Sequence, residues 1–135
     1  MNDALHKILV CVDDDPMILQ MLSFQLNNRL DPEQYLIECF TEPAEVISTL
    51  KSYSIEPDER FTMIVDFQMP GMNGADLVRQ IKANFPNSRC MMLSGQYNEI
   101  VVNQLLEDQL LDAFISKPWN EETLLEKLTN LDKNS

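Results

Sequence analysis

KILVCVDDDP, residues 7–16, passes from a short apolar run into three carboxylates and then a proline. The run is rich in β-branched residues and too short for a core helix, so it reads as a strand. Pro16 suits the first turn of a helix, where its missing N–H costs nothing, and Asp15 before it can cap that helix. The local order is therefore strand, acidic loop, helix. Three like charges at the end of a buried strand repel one another and desolvate badly. Either they complement the helix N-terminus, or Asp13 and Asp14 gather round a hard cation.

The same strand-then-helix order recurs along the chain. Residues 16–30 carry apolar side chains at helical spacing (Ile18, Met21, Leu22, Leu26, with Gln25 on the border). YLIECF (35–40) reads as a strand, and 42–53 as a helix capped by Thr41. FTMIVD (61–66) is a strand and 72–85 a helix starting near Asn73 or Gly74. RCMML (89–93) is a strand and 98–111 a helix; DAFIS (112–116) is a strand and 120–131 a helix capped by Asn120. Five such units predict a parallel sheet with helices on both faces. The strands lack strict polar–apolar alternation, as expected when both faces are covered. SYSIEPDER (52–60) is the one longish polar connection, too short to divide domains, so 1–135 reads as a single domain.

Composition narrows the function. Hydrophobic residues make up 44% of the 135, enough for a core. A net charge of −12 argues against direct nucleic-acid binding and against a basic patch for anionic membranes. Cys11, Cys39 and Cys90 each sit in an apolar run without a CxxC or a Cys/His cluster, which argues against zinc. Three buried free thiols suit a reducing cytoplasm. The N-terminus lacks the basic start and long apolar core of a signal peptide, and no run is long enough to span a membrane.

In a parallel sheet the C-terminal strand ends share one edge. Asp13 and Asp14 follow the first strand, Asp66 the third, Ser94 the fourth and Lys117 the fifth. Clustered carboxylates with few bases suit Mg²⁺, which takes oxygen ligands and offsets their repulsion. A carboxylate beside the cation can act as a nucleophile toward phosphorus. A hydroxyl and an ammonium can then hold the incoming phosphoryl oxygens.

Here the chain resembles a known family. ILVCVDDDP, MIVDFQMPGMNG, MLSGQ and FISKPW look like the four motifs of the response regulator receiver domain, in order and across nearly the whole length. The resemblance implies a flavodoxin-like, doubly wound α/β fold with five parallel strands in order 2-1-3-4-5 and five helices. It implies that Asp66 is the phosphoacceptor. Asp14 matches the direct Mg²⁺ ligand and Asp13 the acid that holds the metal through water. Gln68 matches the position whose backbone carbonyl completes the metal shell. Ser94 and Lys117 match the pair that binds the phosphoryl group, and Phe114 the aromatic that switches between outward and inward positions. Lys117–Pro118 is expected to be cis. Asp15 is left with helix N-terminal charge only.

The resemblance further implies a cytoplasmic signalling domain phosphorylated by a sensor histidine kinase or a phosphotransfer protein. Its output domain, or a partner protein, would read the surface of the fourth helix, fifth strand and fifth helix, where phosphorylated receivers also pair. Two rivals stand beside this reading. A receiver-like interaction domain would keep the fold without phosphorylation, which the intact Asp13, Asp14, Asp66, Ser94 and Lys117 set argues against. A haloacid-dehalogenase-type phosphatase would need a DxDx[TV]-like first motif and an acidic pair at a strand end. The chain has VDDDP, and Glu121 and Glu122 at a helix start.

Several residues depart from the pattern or stand outside it. Gly95 replaces a common alanine, and Gln68 and Gln96 are neutral polar residues near the site entrance. EDQLLDAFISKP lacks the usual glycine before the fifth strand, so the fourth helix is expected to end strained or run longer. That helix has more apolar residues than one stripe needs, and some are expected to be exposed along with part of Trp119. His6 reads as a solvent-exposed histidine, and the eight methionines as core filler.

Overall fold

The computed structural model describes residues 7–53, 55 and 61–133. Strands β1 (Lys7–Val12), β2 (Tyr35–Phe40), β3 (Thr62–Val65), β4 (Arg89–Ser94) and β5 (Ala113–Ser116) form one parallel sheet in the order β2-β1-β3-β4-β5. Helices α1 (Pro16–Arg29), α2 (Ala44–Ser52), α3 (Gly74–Asn84), α4 (Glu99–Glu107) and α5 (Glu121–Lys133) alternate with the strands.

Period-two geometry sorts the strand side chains between two cores. Val10, Val12, Met63, Val65, Cys90 and Met92 face α2, α3 and α4. Leu9, Cys11, Ile64, Met91, Leu93 and Ile115 face α1 and α5. β1, β3 and β4 are apolar on both sides because helices cover both.

Caps set the helix starts. Asp15, Asn73 and Asn98 accept hydrogen bonds from Met17, Asp76 and Val101 N–H groups. Asn120 Oδ1 does the same for Thr123 N–H at α5. Thr41 does not cap α2. That helix begins at Ala44 behind Pro43, which already has helical angles (φ −60°, ψ −29°), and it has no side-chain cap bond. The proline ring presets the first turn, and Glu45 N–H closes it on the Glu42 carbonyl.

The fourth helix stops at Glu107, shorter than expected. Gln109 takes φ 61°, and Leu110 and Leu111 N–H groups return to the Leu105 carbonyl. A non-glycine residue thus occupies the left-handed turn that a glycine would fill at lower cost.

Two expectations fail by exposure. Cys39 is exposed, because β2 is a sheet edge. Met17 and Met21 are 74% and 50% exposed and are not core filler. Ile100 and Leu106 of α4 are exposed as anticipated, while Val102 and Leu105 are core. His6 lies outside the described residues. Among the described residues no helix is long and apolar enough to cross a membrane.

Candidate functional site

The ends of β1, β3 and β5 continue the sheet by one further main-chain rung each. Asp13 N–H donates to the Phe40 carbonyl at 3.1 Å, Asp66 N–H to Val12 at 3.0 Å, and Lys117 N–H to Ser94 at 3.0 Å. Backbone register therefore places these residues before any side chain makes contact.

α3 fixes the Asp66 backbone from the other side. Gly74 N–H donates to the Phe67 carbonyl at 2.8 Å, and the Gly74 Cα lies directly against Asp66. A Cβ there would collide with the Asp66 carbonyl oxygen, lie 2.9 Å from its carbon and lie 3.0 Å from Phe67 Cα. Glycine is required at this position by a close approach.

The side chains converge on one point. Asp13, Asp14 and Asp66 each offer a carboxylate oxygen, all within 4.8 Å of one another. Asp13 and Asp66 are buried and Asp14 is exposed. Lys117 Nζ lies 2.8 Å from Asp13 Oδ2 and 3.4 Å from Asp66 Oδ2. Ser94 Oγ is fully buried, 2.5 Å from Asp66 Oδ1 and 3.0 Å from the Gln96 carbonyl. A hydroxyl has one proton, and the shorter, charge-assisted contact to Asp66 takes it. Phe67 N–H approaches the same oxygen at 3.4 Å.

Electrostatics follow from burial and pairing. Burial pushes the Asp13 carboxyl above its usual range and the Asp66 charge adds to this; Lys117 and the Asp15 N–H oppose them. For Lys117, burial works to lower the pKa, but the Asp13 hydrogen bond and the Asp13 and Asp66 charges outweigh it, leaving it raised. The ammonium is thus charged and serves as counter-ion to the buried acids.

The donor set fits Mg²⁺: it is all oxygen, one carboxylate faces solvent, and the close acids carry more negative charge than one lysine neutralises. Asp15, by contrast, spends its side chain on the Met17 N–H cap. Gln68 is exposed next to Asp66. Phe114 is partly buried on the α4 side, and its ring meets that of Tyr97 at a 4.5 Å centroid separation and 59°. Lys117–Pro118 is cis.

A family model for the response regulator receiver domain matches residues 9–129. The chain belongs to the response regulator receiver family. This receiver is 33% identical over 98 residues to ARR21, described as a two-component response regulator of Arabidopsis thaliana. That alignment covers 73% of this chain and 15% of the relative. It is 24% identical over 126 residues to the DNA-binding response regulator MtrA of Mycolicibacterium smegmatis, covering 93% of this chain and 50% of MtrA. The receiver therefore spans half or less of these relatives. Among solved structures, the CheY-like receiver domain protein of Methanospirillum hungatei is 27% identical with a TM-score of 0.78, covering 95% of each chain. Receivers of this family are signalling domains that interact with histidine kinases or phosphotransfer proteins.

Two contacts at the receiver's site edge escaped the sequence. Tyr97 packs on Phe114, and its place in a polar loop gave no signal of this. Gln25 Oε1 accepts a 2.8 Å bond from Trp119 Nε1, tying α1 to the segment that carries Lys117. Arg29 adds bonds of 2.9 Å to both Glu121 and Glu122, but these are exposed and weakly stabilising. The part-buried Trp119 bond counts for more. Gln25→Met keeps most of the side chain's length, leaves the indole intact and removes the acceptor, so it should cost about 1 kcal/mol. Urea unfolding of the two proteins measures it; an unchanged midpoint would show that the bond carries no net stability.

Proposed function

We propose that this receiver accepts a phosphoryl group on Asp66 from a sensor histidine kinase or phosphotransfer protein, in the cytoplasm. The observation that carries the proposal is the meeting of Ser94 Oγ and Lys117 Nζ on the two oxygens of one buried carboxylate, beside two further acids.

An Asp66 carboxylate oxygen attacks the phosphorus of a phosphohistidine. The P–N bond breaks, its electron pair returns to the imidazole nitrogen, and an acyl phosphate forms. Asp13, Asp14, Asp66 and the Gln68 carbonyl would hold Mg²⁺, which supplies charge neutralisation between the acids and the phosphoryl oxygens. Ser94 turns its hydroxyl from the carboxylate to a phosphoryl oxygen. Lys117 exchanges Asp66 for a second phosphoryl oxygen, and its reach is already set by β5.

Movement of Ser94 opens room beside Phe114, which leaves its outward contact with Tyr97. The surface of α4, β5 and α5 changes with it. This is a shift between two populated states, biased by a local charge event. That surface, with exposed Ile100 and Leu106, would meet an output domain, a partner protein or a second copy of the chain.

The test is intact mass after incubation with acetyl phosphate and Mg²⁺, run beside Asp66→Asn. The parent should gain one phosphoryl group, lose that gain in EDTA, and show none in the variant. A gain that persists in Asp66→Asn would move the acceptor elsewhere. No gain in a parent that binds Mg²⁺ would favour a non-phosphorylated interaction domain, and sustained turnover of a phosphomonoester would favour a phosphatase.

A further inference from the structure

Cys11 and Cys39 are register partners on the adjacent parallel strands β1 and β2. Neighbouring strands lie about 4.7–4.9 Å apart. That falls inside the Cα separation of about 4.4–6.8 Å that a disulfide spans. Both side chains project from the α1–α5 face: Cys11 belongs to that core, and Ile37, two residues before Cys39, packs against it. Register pairing therefore sets the two thiols side by side on neighbouring strands, on the same face of the sheet.

Exposure divides their roles. Cys11 is fully buried in the middle of the sheet, and Cys39 is open on the edge strand. Pairing with Cys11 lowers the pKa of the Cys39 thiol, against partial burial and the Glu38 charge. An accessible sulfur with thiolate character reacts first with oxidants, and one whose register partner on the next strand is a second thiol can resolve without a change of fold.

We infer that Cys39 is an oxidation site for peroxides, with Cys11 as its resolving thiol. The Cys39 thiolate attacks a peroxide oxygen, the O–O bond breaks, and hydroxide leaves and takes a proton to become water. Cys39 is then a sulfenic acid. The Cys11 sulfur attacks the Cys39 sulfur, the S–O bond breaks, and a second water leaves with the Cys11 proton. Two thiols lose two electrons in all, and hydrogen peroxide is reduced to two waters.

Cys90 is an internal control. It lies in the opposite core, fully buried, with its pKa pushed up to about 12 by burial.

The experiment treats the folded 135-residue chain with hydrogen peroxide, then counts thiols after unfolding and maps the peptides. The expected product has lost two of its three thiols, joins the peptides holding Cys11 and Cys39, and returns to the starting mass with dithiothreitol. In Cys11→Ser, Cys39 should be trapped as its dimedone adduct; in Cys39→Ser, both remaining thiols should survive. Over-oxidation of Cys39 with Cys11 still free, a disulfide between two chains, or no thiol loss at peroxide levels that oxidise glutathione would each overturn the assignment. The readout is sulfur, so it stands or falls separately from phosphoryl transfer to Asp66.

Discussion

Gly74→Ala is expected to lower the melting temperature by about 10 °C and to slow phosphoryl uptake. The added methyl would strike the Asp66 carbonyl oxygen and crowd the Phe67 Cα. All of these are backbone atoms, so no side chain can swing aside. Overpacking of this kind costs about 3 kcal/mol at the upper end of its usual range. For a chain of this length each kcal/mol shifts the melting temperature by roughly 3–4 °C. The displaced backbone is that of the proposed phosphoacceptor, so activity falls with stability. Gly95→Ala is the comparison: its Cβ would meet Lys117 Cβ at an ordinary 3.5 Å, and its effect should stay within about 0.5 kcal/mol. Thermal unfolding of both variants decides the matter. Equal melting temperatures would mean that α3 can retreat from Asp66 without cost.

Lys117→Met should be the more informative lesion in the acid cluster. The variant retains most of the side-chain volume and removes the charge that faces Asp13 and Asp66. Leaving buried carboxylates unpaired costs about 3–5 kcal/mol in closed sites. Here the lysine is partly solvated, with 19% of its side chain exposed. A loss of about 2 kcal/mol at neutral pH without divalent cation is therefore expected.

Added Mg²⁺ should then stabilise Lys117→Met more than it stabilises the parent. The lysine and the cation compete for the same carboxylate oxygens, and the variant has only one of them. Phosphoryl uptake should nonetheless fall about 100-fold, as for loss of one preorganised charge donor. Urea midpoints in EDTA and in Mg²⁺, with a mass time course, separate the two effects. A variant as stable as the parent in EDTA would show that Lys117 does not neutralise the cluster.

The fold was legible because its signals are local. Five apolar runs, each followed by helical spacing, identify the strands whatever their neighbours are. The clustering of Asp13, Asp66, Ser94 and Lys117 was legible because they stand at strand ends, which the parallel arrangement brings to one edge. What could not be read depends on partners far along the chain. KILVCV and YLIECF are equally apolar, but one becomes a central strand and the other an edge, so Cys39 is exposed where Cys11 is buried. Met17, Met21 and Phe24 occupy plausible core positions on a helix until the sheet fixes which side of α1 it covers. Gln25 and Trp119 are 94 residues apart, and Tyr97 meets Phe114 only once β5 is in place. Thr41 fails as a cap because Pro43 starts the helix without one.

The main-chain rungs at the ends of β1, β3 and β5 also say something about how such a domain can diverge. Position at the site is set by strand order and carbonyl acceptors, which every residue type supplies. The outward sides of α1 and α4, where Phe24 and Ile100 lie open, have no part in that placement. Duplicated copies of this chain could therefore drift apart in the proteins they recognise while keeping one shared chemistry. Substitutions that insulate one signalling route from another would be found on the helices, and substitutions at Gly74 would not be found among them.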